Sequence, residues 1–95
     1  MTDYEKMAEL FKVFSDATRL KVLKSLLDGE KSVGTIADEL SMTQSAVSHQ
    51  LSTLRMNRLV RVRKEGKMSF YSLDDEHVYE ILSCGEKHLC EGNDG

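Results

Sequence analysis

Ser41-Met42-Thr43-Gln44-Ser45-Ala46-Val47-Ser48-His49-Gln50-Leu51 is the stretch on which the reading of this chain turns. It opens with a three-residue connection, Ser41-Met42-Thr43. It then enters a segment whose apolar positions, Val47, Leu51 and Leu54, recur at helical spacing. Thr43 belongs to the residue types that cap helix N-termini, because its hydroxyl can accept from an otherwise free amide of the first turn. A helix is therefore expected over about 44–57. Upstream, Ser32 can cap a short helix of about 33–40, with Val33, Ile36, Ala37 and Leu40 facing inward.

Working outward, the period changes after this helix pair. Within Leu59 to Lys64, Val60 and Val62 alternate with Arg61 and Arg63; Gly66 supplies a turn, and Met68 to Leu73 carries Phe70 and Tyr71. This pattern predicts an antiparallel hairpin with basic residues near its tip. Toward the N-terminus, Tyr4, Met7, Ala8, Phe11 and Phe14 form the apolar stripe of a helix over about 3–14. A second helix, capped by Ser15 or Asp16 and reaching about Asp28, buries Ala17, Leu20, Val22, Leu23, Leu26 and Leu27, and Gly29 ends it. A last helix starts near Asp74 or Asp75 and runs to about Cys90, with Val78, Ile81, Leu82, Gly85 and Leu89 as its stripe. The fold class that follows is mainly α with a β-hairpin, a winged helix-turn-helix in the order four helices, two strands, one helix. It occupies residues 1–95 as one domain.

In such a layout the second helix of the pair presents its N-terminal half to the major groove. Here that half offers Thr43, Gln44, Ser45, Ser48 and His49, short, amide or imidazole side chains with no carboxylate. Gln can pair with adenine, and Ser can bond to base edges or phosphate. A helix N-terminus also presents free amides to phosphate. Arg63, Lys64 and Lys67 are candidate wing contacts, which position a protein on DNA without reading sequence.

The net charge of −3 hides an asymmetry: segment 41–73 carries +5, residues 74–95 carry −6, and residues 1–40 carry −2. A basic middle can steer DNA whatever the total, since binding senses the local field. There is no apolar run long enough to cross a bilayer. Met1-Thr2-Asp3-Tyr4-Glu5-Lys6 lacks the basic-then-apolar order of a signal peptide. A cytoplasmic protein without a membrane partner is expected, so Cys84 and Cys90 are read as free thiols. No nucleophile–base constellation, phosphate loop or cofactor fingerprint is present, and no enzymatic activity is expected. A winged-helix adaptor for other proteins would share the fold but bind no DNA at any ionic strength.

At Ala17-Thr18-Arg19-Leu20, at Thr43 to Leu51, and at Gly66-Lys67 followed by Tyr71, the sequence resembles the ArsR/SmtB family of bacterial metal-responsive repressors. The resemblance spans about residues 3–91. It implies a homodimer, joined through the first and last helices, that binds an imperfect inverted repeat in double-stranded operator DNA. Such a dimer represses metal efflux or resistance genes and releases DNA when an inducer binds. It also implies that Gln44, Ser45, Ser48 and His49 face DNA.

The last helix holds a candidate metal set, Asp75, His77, His88 and Glu91, whose donors suit tetrahedral Zn(II). On one helix, His77 and His88 stand roughly 16 Å apart at ~1.5 Å per residue. Zinc ligands must lie within about 2 Å of the ion, so one helix cannot supply both. An antiparallel partner solves this: Asp75 and His77 of one chain meet His88 and Glu91 of the other, and two-fold symmetry gives two sites. The resemblance supports the same four positions, since the zinc-sensing branch carries D-x-H, ten residues, then H-x-x-E or H-x-x-H on its last helix. Co(II) and Ni(II) share these ligand types. The family's other site, a cysteine cluster near the reading helix, has no counterpart in residues 32–40. Cys84 reads as core, and Cys90, beside His88 and Glu91, as a thiolate for a softer metal. The two cysteines also motivate an alternative, a thiol redox-sensing repressor on the same scaffold.

Overall fold

The computed structural model describes residues 3–93. The elements run α1 (Tyr4–Val13), α2 (Ala17–Ser25), β1 (Lys31–Ser32), α3 (Val33–Leu40), α4 (Gln44–Met56), β2 (Val60–Glu65), β3 (Met68–Leu73) and α5 (Glu76–Asn93). The fold is a winged helix-turn-helix, mainly helical with a small antiparallel sheet.

Each helix starts where a side-chain oxygen replaces a missing backbone acceptor. Asp3 Oδ1 accepts from the Glu5 and Lys6 amides, and Asp16, rather than Ser15, accepts from Arg19 N. Ser32 Oγ accepts from Thr35 N at 3.2 Å, and Thr43 Oγ1 accepts from Ala46 N at 3.1 Å.

The ends of α3 and α4 share one device. Met42 N donates to Ala37 O at 2.9 Å and Ser41 N to Asp38 O, while Leu59 N donates to Leu54 O at 2.9 Å and Arg58 N to Arg55 O. Both are Schellman closures, which need a left-handed residue and usually place glycine there. Here Ser41 (φ 54°) and Arg58 (φ 59°) fill the position. The first closure makes the sharp turn between α3 and α4, and the second aims the chain into the wing.

The core gathers Val22, Leu23 and Leu26 from α2 and its exit, Ile36 and Ala37 from α3, Val47, Leu51 and Leu54 from α4, Leu59 and Val60 at the wing base, and Val78 and Leu82 from α5. Burial of this kind, at about 25 cal/mol per Å² of apolar surface, is the main favourable term. α1 joins the core through Leu10, Val13 and, just past its end, Phe14.

Several expectations need correction. α2 stops at Ser25 instead of near Asp28, because Leu26 and Leu27 bond back in a turn that drives Leu26 into the core. Ala17 and Leu20, expected to be buried, lie exposed. Of the expected α1 stripe, Tyr4, Met7, Ala8 and Phe11 are exposed, and Leu89 on α5 is exposed too. The wing is more than a hairpin. Its sheet has strand order β1-β3-β2, with Lys31 opposite Tyr71 and Ser32 opposite Phe70. β1 is two residues long and carries no alternation for a sequence pattern to detect. Cys84, read as core, is exposed, as is Cys90.

Candidate nucleic-acid interface and metal site

α4 turns one face inward with Val47, Leu51 and Leu54, each fully buried. Its 3.6-residue period then leaves Thr43, Gln44, Ser45, Ser48 and His49 on the exposed side. The Thr43 cap holds the first turn in register. Gln44 lies beside Gly34 at the start of α3, its Nε2 being 3.6 Å from where a Cβ on that glycine would stand.

The wing is closed by Gly66-Lys67 between Glu65 and Met68, which face each other across the sheet. Only Gly66 of the pair has a positive φ, 60°, the pattern of a type II′ turn. Lys64 and Lys67 are exposed and form no ion pair among the described residues. Arg63 is differently placed. Its Nε and Nη2 donate to the two carboxylate oxygens of Glu30 at 3.1 and 2.7 Å, its Nη1 donates to Glu65 at 2.7 Å, and its guanidinium lies 4.9 Å over the Phe70 ring. Hydrogen bonds to Glu30 and then to Glu65 raise the guanidinium pKa further, and the bond from Arg63 holds the Glu30 carboxyl below its usual value. Glu30 sits 33 residues from Arg63 in sequence, a separation that left no local signal of the pair.

At the other end of the molecule, Asp75 opens α5. Its Oδ1 accepts from the His77 and Val78 amides at 2.9 and 3.3 Å, which leaves Oδ2 free to lie 3.4 Å from His77 Nδ1. Partial desolvation raises the Asp75 pKa, but the Val78 amide, the His77 imidazole and the His77 amide outweigh it and hold the carboxyl below 3.8. His77, His88 and Glu91 are exposed. Among the described residues, no three metal-ligating side chains of one chain converge. Asp75 and His77 therefore stand together, while His88 and Glu91 lie three turns further along. Cys84, His88 and Glu91 line the same shallow depression on α5, and Cys90 does not line it.

A polar reading helix without carboxylates, set behind a tight turn and beside a lysine-bearing wing, defines a winged helix-turn-helix DNA-binding protein. Residues 16–62 match the family described as bacterial regulatory protein, arsR family. Over 83 residues the chain is 46% identical to the uncharacterized HTH-type transcriptional regulator MJ1325 of Methanocaldococcus jannaschii, covering 86% of this chain and 93% of that one. It is 40% identical to the cadmium resistance transcriptional regulatory protein CadC homolog of Staphylococcus aureus, covering 90% and 71%. Among solved structures, reduced HlyU of Vibrio cholerae superimposes with a TM-score of 0.82 at 36% identity, covering 92% of each chain. The homodimeric winged helix-turn-helix DNA-binding domain Mb0332 of Mycobacterium bovis superimposes with a TM-score of 0.87 at 27% identity, covering 94% of this chain and 82% of that one. The chain belongs to the ArsR family: it is a DNA-binding transcriptional regulator and not an enzyme. No helix among the described residues is long and apolar enough to cross a membrane.

Proposed function

We propose that this regulator is a homodimeric, metal-responsive repressor whose inducer, Zn(II) or a similar divalent ion, binds between the two α5 helices. The carrying observation is the Asp75–His77 pair. Two ligand atoms on a tetrahedral zinc with bonds of about 2.0–2.1 Å stand roughly 3.3 Å apart. Asp75 Oδ2 and His77 Nδ1 are already 3.4 Å apart, with both side chains at the surface. They make half a site. His88 and Glu91 of the partner subunit complete it in an antiparallel dimer, which gives two equivalent sites.

Dimerisation is supported by what α1 and α5 leave uncovered. Tyr4 is 76% exposed, Phe11 49% and Leu89 68%. Large apolar side chains left exposed on α1 and α5 are available to an interface, and the Mb0332 domain is described as homodimeric. Metal response is supported by the donor set and by the cadmium resistance regulator among the relatives.

In this reading the metal-free dimer holds its two α4 helices at operator spacing. Gln44, Ser45, Ser48 and His49 enter the major groove, Thr43 sits at the phosphate edge, and Lys64 and Lys67 reach the backbone. With the ion held by Asp75 and His77 of one protomer and the facing pair of its partner, the α5 helices are fixed in an arrangement that grips DNA less well. Linkage demands the reverse effect, so operator DNA weakens metal binding by the same factor.

The test is selection of binding sites from random duplexes, followed by fluorescence anisotropy on the selected duplex with and without Zn(II). Inverted repeats released by equimolar zinc support the proposal. Binding unaffected by zinc, in protein shown to be metal-free at the start, overturns it. A second reading is favoured by the exposure of Cys84 and Cys90 and by the relative solved in a reduced form: a thiol redox-sensing regulator. Release of DNA by peroxide, reversed by a thiol reductant and lost when both cysteines are serine, selects that reading.

A further inference from the structure

We propose that Arg63 is a strut that sets the angle between the wing and the helix-turn-helix, and that it does not itself bind DNA. This departs from the phosphate contact that its position near the wing tip suggests. It rests on the reading of Lys64 and Lys67 as the wing's phosphate contacts.

The strand register carries the argument. Arg63 on β2 stands opposite Phe70 on β3, and Ser32 on β1 stands opposite Phe70 from the other side. The Arg63 side chain crosses the central strand above the Phe70 ring and meets Glu30, the residue immediately before β1. It thus joins the outer strand of the wing to the far edge of the sheet. Two residues beyond Glu30, Ser32 caps α3. β2 is in this way tied to the start of the helix that packs against α4.

The geometry suits a positioning role. The Glu30 contact is bidentate, which fixes direction as well as distance. Ring and guanidinium stack as a cation–π pair. Exposed ion pairs of this kind contribute little to global stability, so their effect is on orientation. Electrostatics also weighs against phosphate binding here, because an approaching phosphate meets two carboxylates around one cation. Lys64 and Lys67 carry no such neutralising partner among the described residues.

The experiment measures operator affinity by fluorescence anisotropy over a range of KCl concentrations. Each lost phosphate contact flattens the slope of log K against log salt by about 0.9. Lys67→Gln removes one contact per wing, so about 1.8 is expected for the dimer. Arg63→Gln and Glu30→Gln are expected to weaken binding severalfold with the slope unchanged. The Glu30 variant is decisive in sign, because it removes a negative charge near DNA and still weakens binding. The exchange Arg63→Glu with Glu30→Arg restores affinity that either single reversal loses.

Tighter binding by Glu30→Gln, or a slope flattened by Arg63→Gln, overturns the strut. A slope unchanged by Lys67→Gln overturns the wing-contact reading. The strut is then decided without DNA, by residual dipolar couplings of β2 and β3 amides relative to α4 in free protein. Arg63→Gln is expected to change that alignment, and unchanged couplings overturn the strut.

Discussion

Thr43 performs two tasks that substitution can separate. Its Oγ1 accepts the Ala46 amide at 3.1 Å and so caps the reading helix. Its exposed position at the N-terminus of α4 also places it toward DNA phosphate in the proposed complex. Thr43→Ala removes the cap at a cost of about 1 kcal/mol, within a range of about 0.5–2. In a domain of this size that lowers Tm by roughly 4–8 °C, measured at fixed protomer concentration because a dimer's Tm depends on it. Thr43→Asp keeps a capping oxygen and adds a negative charge at the positive end of the helix, so Tm is expected to hold or rise slightly. DNA binding goes the other way. A carboxylate about 4 Å from a phosphate costs about 1 kcal/mol even at the dielectric of water, and more near a protein surface. Two protomers double that, giving a loss of roughly 30-fold or more at low salt. The assays are thermal unfolding by circular dichroism and anisotropy on one duplex. Thr43→Asp binding DNA as tightly as the parent would refute the placement of this helix end. Thr43→Asp unfolding as early as Thr43→Ala would refute the cap.

Three further outcomes are expected. Phe11→Glu combined with Leu89→Glu converts the dimer to monomer in analytical ultracentrifugation and weakens operator binding at least about tenfold, since one half-site then binds alone; a dimer that persists places the interface elsewhere. Co(II) added to reduced, metal-free protein saturates at one ion per protomer with intense visible d–d bands that His88→Ala abolishes, and a sulfur charge-transfer band would bring Cys84 into the site. The Asp75 carboxyl titrates below its ordinary value of 3.8 in the folded chain, so the stability it contributes is present above that value and lost as the pH falls through the lower folded one. Urea unfolding between about pH 5 and pH 2 should therefore lose less stability in Asp75→Asn than in the parent, and parallel curves would show that the carboxylate is not stabilised by folding.

Much of this molecule was legible in local pattern. Ser32 and Thr43 announced helix starts because capping is a contact over three residues. Val47, Leu51 and Leu54 announced the buried face of α4 because helical geometry brings them to one side. Gly66 announced the wing turn for an equally local reason, its positive φ. Asp75 and His77, two residues apart, were bound to be neighbours at a helix start. Local reasoning failed where burial depended on what the rest of the chain supplied. Tyr4, Met7, Phe11 and Leu89 have the periodicity of core residues, yet among the described residues they stay exposed. An apolar stripe specifies a face without specifying whose surface meets it.

The sequence by itself determined the order of the five helices and the two hairpin strands, the carboxylate-free face of α4, and the placing of Asp75, His77, His88 and Glu91 at the start of and along α5, because each depends on residues within a few positions of one another. Only the tertiary structure decided that Arg63 is held by Glu30, that a two-residue strand widens the wing, and that Cys84 shares a surface with His88 and Glu91 while α1 stays largely uncovered. The first two are contacts between distant parts of the chain, whose pairing depends on how the helices pack and bring the strands into register. The last two depend on which faces of α1 and α5 the core needed, and it drew on Leu10, Val13, Phe14, Val78, Ile81 and Leu82.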